Sequence, residues 1–349
     1  MRQRDREAPQ RGGRTPASRG LGGAWASSRE LSVTVVLVLL CLAVSFTSAR
    51  DTFFTPRNLT NISRQVALLS VFALGETIVI IAGGIDLSLG SLIAFSGMVT
   101  ALVATRAGEV MAPGAAAALA GCAALGVGAI VGAIHASLIH GLSLPPFVVT
   151  LASLLILRSQ SLLVNDQLPI TLERFPGLLF LANGSLFEHS GWPVPLPAAL
   201  LVPLAVALAA LLAGSRIGRY VYSVGSSEAA SRLSGVNVYR VKLFAYGMSG
   251  CLGGAAGVLW AGYGGQGDPL AGNSYELDAV AAAVVGGASL SGGKGSILGT
   301  VLGATLLISI FSAINLTLEK PDLWRGTVVG GILLLAVLVS ALRERGRAR

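Results

Sequence analysis

Charge is what this chain has least of. Only 12% of its 349 residues are Asp, Glu, Lys or Arg, against about 25% in a soluble globular protein. Such a composition excludes a soluble enzyme, and a hydrophobic content of 53% excludes a disordered chain. Cysteine is scarce too. Cys41, Cys122 and Cys251 lie far apart inside apolar runs, which excludes a disulfide scaffold and reads as three buried free thiols. His135, His140 and His189 show no metal-ligand spacing with Cys or carboxylates, so neither a metal site nor a cofactor is expected. No nucleophile–base pair stands out, so no catalytic residue is expected either. What the chain has instead is apolar length and glycine. Mean hydropathy is +0.73 and 45 residues are Gly. That glycine share is nearly twice the usual ~7%. The class that remains is a polytopic membrane protein, all-α, folded in lipid rather than water.

A helix needs about 20 apolar residues to cross a bilayer. Ten segments meet or approach that length: 31–49, 62–82, 89–105, 114–139, 147–164, 197–214, 243–262, 277–290, 297–316 and 325–342. The expectation is a bundle of about ten membrane helices over residues 31–342, a disordered Arg-rich tail over 1–30 and a basic tail over 343–349. The first apolar run is too long for a signal-peptide core, so it reads as a retained membrane helix. Ten crossings put both termini on one side. With that side cytoplasmic, the inner segments hold 17 Lys and Arg and the outer ones 5. This bias obeys the positive-inside rule and makes nucleic acid the weaker reading of the net charge of +8. Residues 165–196 read as an outer loop ordered by Pro169, Pro176, Pro193 and Pro195, and 215–242 as the one substantial, charged inner loop.

A weak internal repeat runs through this pattern. An apolar helix enters Gly83-Gly84-Ile85-Asp86-Leu87-Ser88-Leu89-Gly90-Ser91, and a new apolar helix leaves it. Later an apolar helix enters the stretch from Gly286 to Ser296, and again another follows. Gly-interrupted segments paired across two halves point to a transporter built from repeats, although low-complexity apolar sequence produces such likeness by chance as well.

Asp86 sits between two membrane helices, where a carboxylate has to be paired or wetted. Two readings stand side by side: a helix break held by Asp and by Ser88 or Ser91 as caps, and an element lining or gating a conduit. Glu76 lies two turns earlier inside the same apolar helix, as part of a polar path or of a structural hydrogen bond. The candidate pathway set is therefore Glu76, Gly83, Gly84, Asp86, Ser88, Gly90 and Ser91.

A second candidate lies in the charged inner loop. Ser226 or Ser227 can N-cap a short helix with Glu228 in its first turn, and Gly235 can end it. Ser227, Glu228, Ala229, Ala230, Arg232, Leu233, Ser234 and Gly235 then form a short exposed helix, shaped either as a solvated connection or as an insert for a partner's cleft. Two nucleotide-motif matches fail. Gly262-Tyr263-Gly264-Gly265-Gln266-Gly267 fits G-x-G-x-x-G but follows a membrane helix and not a strand. The stretch from Gly287 puts Gly293 where a phosphate loop needs Lys.

With these residues assembled, the chain resembles the membrane-spanning permeases of bacterial ABC importers for ribose, xylose and related sugars. The likeness is carried by Gly83–Ser91, Pro146–Leu151, Ser227–Asn237, Tyr275–Ala282 and Gly286–Gly303, and it extends over residues 31–342. The resemblance implies a permease dimer, homo- or heteromeric, in the bacterial cytoplasmic membrane. It implies two cytoplasmic ATPase domains and a periplasmic or lipid-anchored sugar-binding protein as partners. It implies that the segment from Glu228 to Gly235 is the coupling helix seated in the ATPase. Glu76 departs from the Met or Gln usual in that family, and Leu157-Arg158-Ser159 from Leu-Arg-Gly. The first leaves the exact sugar open. Within transport, the alternatives are a related permease for nucleosides, furanosyl signalling compounds or branched amino acids. In another class, the alternative is an ion-coupled carrier using Asp86 and Glu76; such a carrier needs no docking helix.

Overall fold

A computed structural model describes residues 28–188 and 191–347. Most of the expected Arg-rich tail, His189 and the last two residues lie outside them. The architecture is helical. In chain order the helices are α1 (Ser28–Ser45), α2 (Arg50–Phe53), α3 (Pro56–Ile81), α4 (Leu89–Ala107), α5 (Pro113–Gly141), α6 (Pro146–Leu163) and α7 (Pro176–Asn183). They continue as α8 (Leu196–Gly214), α9 (Arg216–Ser226), α10 (Glu228–Leu233), α11 (Val238–Gly264), α12 (Tyr275–Val285), α13 (Ile297–Thr317) and α14 (Pro321–Arg347).

Each of the ten expected segments carries a helix, but they are not equivalent. Seven (α3, α4, α5, α6, α8, α11 and α13) are long and apolar enough to cross a membrane. The 277–290 segment becomes the 11-residue α12, which at ~1.5 Å per residue covers about half of a ~30 Å hydrocarbon core. Gly286 and Gly287 stop it, because the chain turns into a left-handed conformation at Gly287 (φ 98°).

Proline and short polar residues set the helix starts. Pro56, Pro113, Pro146 and Pro176 open α3, α5, α6 and α7, where the missing N–H has no intrahelical partner to lose. Thr55, Ser215, Asn237 and Ser296 accept hydrogen bonds from the first turns of α3, α9, α11 and α13. Gly265, left-handed at φ 70°, closes α11.

Two expectations change here. The 215–242 segment holds more helix than the one short helix expected: α9, α10 and the first turn of α11 occupy it, leaving Ser215, Ser227 and 234–237 as connection. The cysteines are not buried, since Cys41 and Cys251 are half-buried and Cys122 is exposed. Exposed apolar surface is inexpensive to a chain whose solvent is lipid. The proline-rich 165–196 segment is ordered by turns, α7 and two strand pairs. β1 (Ile170–Thr171) pairs antiparallel with β4 (Gln266–Gly267), and β2 (Ser185–Leu186) with β3 (Val194–Pro195).

α3 and α11 form the core. Every residue of α3 from Val66 to Ile81 is buried. α11 lies between α3, α4 and α5. Its contact with α5 is backbone against backbone: a Cβ on Gly128 would collide with the Gly250 carbonyl, and one on Gly250 with the Gly128 carbonyl. Gly132 meets Tyr246 and Gly254 meets Ala124 in the same way. Spacing of four residues puts these small residues on one stripe of each helix, the usual solution where lipid gives no hydrophobic drive to association. Gly121 and Gly126, on the same helix α5, have open space at the Cβ position.

The α5–α11 seam sets a test. Gly250→Val should lower the thermal midpoint in detergent, by overpacking worth about 1–3 kcal/mol. Gly126→Ala should hold or raise it, since a Cβ there meets nothing and a helical glycine costs roughly 1 kcal/mol relative to Ala. Equal midpoints for the two variants would show that the seam is not tight.

Candidate functional site

The site begins where α3 ends. Gly83 is left-handed (φ 85°), its N–H donates to the Ile80 carbonyl at 2.9 Å, and the Gly84 N–H donates to Val79 at 3.0 Å. This two-bond ending requires a residue free to adopt positive φ at the first position. Gly84 is required for another reason: a Cβ there would collide with the Tyr246 hydroxyl. The chain then runs unwound to Ser88, with the Ile85 carbonyl accepting from Thr150 Oγ1 on α6 at 3.1 Å.

Asp86 is 1% exposed and organises this break. Its Oδ1 accepts from the Ser88 N–H at 3.1 Å and from Ser88 Oγ at 2.6 Å, and its Oδ2 accepts from Ser249 Oγ on α11 at 3.1 Å. Capping is therefore distributed differently from expectation. Neither Ser88 nor Ser91 caps α4 through its side chain; Ser91 Oγ donates back to the Ser88 carbonyl at 2.8 Å. The Ser88 hydroxyl is turned back as a donor to Asp86, which also accepts the Ser88 N–H, so neither serine oxygen faces the first-turn amides of α4. Glu76 is fully buried, and both its oxygens lie 3.2 Å from the Asp86 N–H. Glu76 thus faces the break itself. Gly90 belongs elsewhere, because a Cβ on it would strike Glu276 and the Gly272 carbonyl, where the first turns of α4 and α12 meet.

Three further residues complete the cluster. His135 Nδ1 on α5 lies 4.0 Å from Asp86 Oδ2, and His135 Nε2 shares a hydrogen bond with Ser153 Oγ of α6 at 2.7 Å. The Tyr246 ring meets the His135 ring edge-on at 6.1 Å. Asp86 is thus held by one amide and two hydroxyls, Glu76 rests on the Asp86 amide, and His135, fixed by Ser153, stands beside them. His135, Ser153, Ser249 and Tyr246 escaped the sequence reading. Each is a solitary polar side chain in an apolar run, which flags it as interior, but its partner is set by helix packing.

The second Gly-rich segment repeats the first. After α12, the Gly287 N–H donates to Val284 at 2.9 Å and the Ala288 N–H to Ala283 at 2.9 Å, the same two-bond ending as at Gly83 and Gly84. The two breaks also touch. The Gly293 N–H donates to the Ile81 carbonyl at the end of α3 at 2.9 Å, and Gly292 packs on the Cα of Gly83. Gly225 of α9 is wedged between them, where any Cβ would collide with the Ile81 carbonyl. Tyr222, one turn earlier, donates to the Gly295 carbonyl at 2.9 Å.

α10 hangs from this assembly. Ser227 Oγ accepts from the Ala230 N–H at 3.2 Å, so Ser227 and not Ser226 is the cap. Gly235 (φ 79°) ends the helix, with its N–H on Arg232 and the Val236 N–H on Ser231, both at 3.0 Å. Ser231 Oγ shares a hydrogen bond with Ser223 Oγ of α9 at 2.7 Å. Glu228 pairs with Arg232 at 2.9 Å and with Lys242 of α11 at 2.9 Å. Ala229, Ala230, Arg232 and Ser234 face outward, and Leu233 is 90% exposed.

Comparison with known proteins places the whole span. The family described as branched-chain amino acid transport system / permease component matches residues 58–338. The ribose import permease protein RbsC of Escherichia coli K12 is 36% identical over 329 residues, covering 92% of this chain and 96% of the relative. RbsC of Bacillus subtilis is 35% identical over 304 residues, covering 87% of this chain and 90% of the relative. The xylose transport system permease protein XylH of Escherichia coli K12 is 29% identical over 388 residues, covering 95% and 96%. No solved structure matches the chain.

The ion pairs of α10 make its ordering pH-dependent. Partial burial pushes the Glu228 carboxyl up, but the Lys242 ammonium and the Arg232 guanidinium outweigh it and hold the group below the usual carboxylate range. Because the folded value is the lower one, this contribution is complete above the ordinary Glu range and is lost as pH falls through the depressed folded value. Amide-exchange protection of residues 229–236 should stay level from neutrality to about pH 5 and drop below about pH 4. A Glu228→Gln variant should lack that drop.

Proposed function

The chain belongs to the branched-chain amino acid transport system / permease component family, and from that membership we propose that it is the membrane-spanning permease subunit of an ATP-driven ABC importer for a monosaccharide of the ribose or xylose type. The curated relatives named for ribose and xylose span nearly their full length against this chain, which supports a sugar as cargo.

A sugar is too polar to cross lipid unaided, because each hydroxyl moved without a partner into hydrocarbon costs several kcal/mol by order of magnitude. A permease supplies hydrogen-bonding groups or water on one side and then the other. Two copies, or this chain and a homologous one, enclose the pathway. About ten helical segments per subunit cross or enter the bilayer, with both termini and α10 cytoplasmic, as the 17 to 5 division of basic residues supports. ATP hydrolysis takes place in separate cytoplasmic subunits, and a soluble sugar-binding protein delivers cargo to the opposite face.

The observation that carries this reading is the placement of α10. It presents Leu233 to a partner while α9 connects it, through Gly225 and Tyr222, to both helix breaks. A push on α10 would therefore reach Ile81, Gly83 and Gly292 through α9, whose Gly225 packs backbone to backbone against them. The Asp86 and Glu76 cluster acts as the clamp against which that motion works. Gly83, Gly84, Ser88 and Ser91 shape the unwound segment beside the pathway, while Gly90 lets α4 and α12 approach.

Leu233→Asp should weaken recruitment of the cognate ATPase about tenfold or more, since burying a leucine is worth roughly 1.5–3 kcal/mol. Sugar uptake should fall with it while membrane insertion is retained. ATPase recruitment equal to wild type would remove α10 as the docking element. The permease alone in liposomes should accumulate no sugar under a proton or sodium gradient. Gradient-driven accumulation would replace this reading with an ion-coupled carrier.

A further inference from the structure

At the end of the bundle opposite α10, a cavity of about 170 Å³ opens among α3, α11, α12, α13 and α14. A second one of about 270 Å³ adjoins it and runs inward along α4 and α11 to Gly272, where α4 and α12 meet. Trp260, Tyr263 and Tyr275 line both, so the two meet at this aromatic corner. We infer that this space is a monosaccharide-binding site within the permease itself, with Trp260 and Tyr275 as its wall and Gln65 and Asn315 as hydrogen-bonding partners. The inference deepens the transport reading above and rests on it for the class of ligand.

The lining has the chemistry of such a site. Trp260 and Tyr275 lie 4.8 Å apart at 50°, and Tyr263 meets Trp260 edge-on at 5.6 Å, forming a broad aromatic corner. A sugar ring has one apolar C–H face, which lies on aromatic carbon, and a rim of hydroxyls, which needs donors and acceptors. Gln65 and Asn315 supply both kinds from amide groups. Asp278 and Arg325 line the cavity as an ion pair, and Arg325 is held over the Phe311 ring at 4.6 Å from its centroid. Their charges cancel, and the remaining charged residue of that cavity, Asp322, is an exposed carboxylate. The cavity thus suits a neutral polyol and repels anions such as sugar phosphates. The indole N–H of Trp260 is buried without a hydrogen-bond partner among the described residues. A buried donor of this kind is costly, and a solute hydroxyl would relieve it.

The test is a titration of the purified permease in nanodiscs, with Trp25→Phe, Trp192→Phe and Trp324→Phe leaving Trp260 as the sole tryptophan, excited at a wavelength tyrosine does not absorb. D-Ribose, D-xylose and D-allose are the probes, with L-leucine and D-ribose 5-phosphate as comparisons. At least one sugar should shift Trp260 emission saturably in the millimolar range. Gln65→Leu and Asn315→Leu should each raise the half-saturation concentration about tenfold without moving the thermal midpoint. If the triple variant does not fold, the difference spectrum between wild type and Trp260→Phe reports the same signal. No saturable response to any sugar, a response to leucine or the phosphate alone, or half-saturation indifferent to both substitutions would overturn the site. Uptake of the same three sugars by the complete importer is scored separately. Uptake without binding in the titration removes this site alone, whereas absence of uptake for all three removes the monosaccharide reading.

Discussion

A backbone carbonyl inside a lipid bilayer has no water to turn to. The protein interrupts α3 at Ile81, and the groups freed there must find donors within the molecule. They find them in two places. The carbonyls of Val79 and Ile80 accept from the glycine turn that follows, and the Ile81 carbonyl accepts from Gly293, more than 200 residues away. That long-range bond ties the first break to the second. It also explains why Gly225 has no side chain, since any atom there would take the place of the Gly293 amide against Ile81. The location of α9, and through it the orientation of α10, follows from satisfying one buried carbonyl.

The carboxylates obey the same constraint with higher stakes. Asp86 and Glu76 are buried, and each would be expelled from an apolar core if it stood alone. Asp86 is surrounded by an amide and two hydroxyls, with His135 alongside, while Glu76 is spent on the Asp86 amide. The cluster joins α3, α5, α6 and α11 across the unwound segment. Movement there has to shift the hydrogen-bonded set together, which is the behaviour of an element with discrete arrangements and not of a soft hinge.

Much of this was legible in the residue order. Apolar runs located all ten helical segments to within a few residues, because transfer into lipid is a sum of local terms. Gly83, Gly84, Asp86 and the capped segment from Ser227 to Gly235 announced themselves for the same reason, as polar or flexible residues where the surroundings forbid them. The length of α12 was misread, since a glycine pair ends a helix only when the chain beyond it has somewhere to go. Ser88 and Ser91 do not cap through their side chains because both hydroxyls donate instead, to Asp86 and to the Ser88 carbonyl, and such distances are not written in one dimension. His135, Ser249 and Tyr246 gave only a hint of interior placement.

Hydropathy and glycine spacing therefore determined the class, the segments and the positions of the breaks. Tertiary structure alone decided that the two breaks touch, that Leu233 stands exposed, and that Trp260, Tyr275, Gln65 and Asn315 surround one space. The division has a physical cause. Whether a residue prefers lipid depends on its own side chain, whereas which carbonyl receives which amide depends on helices approaching along the Gly128 and Gly250 stripe and its counterparts, a property of pairs distant in sequence.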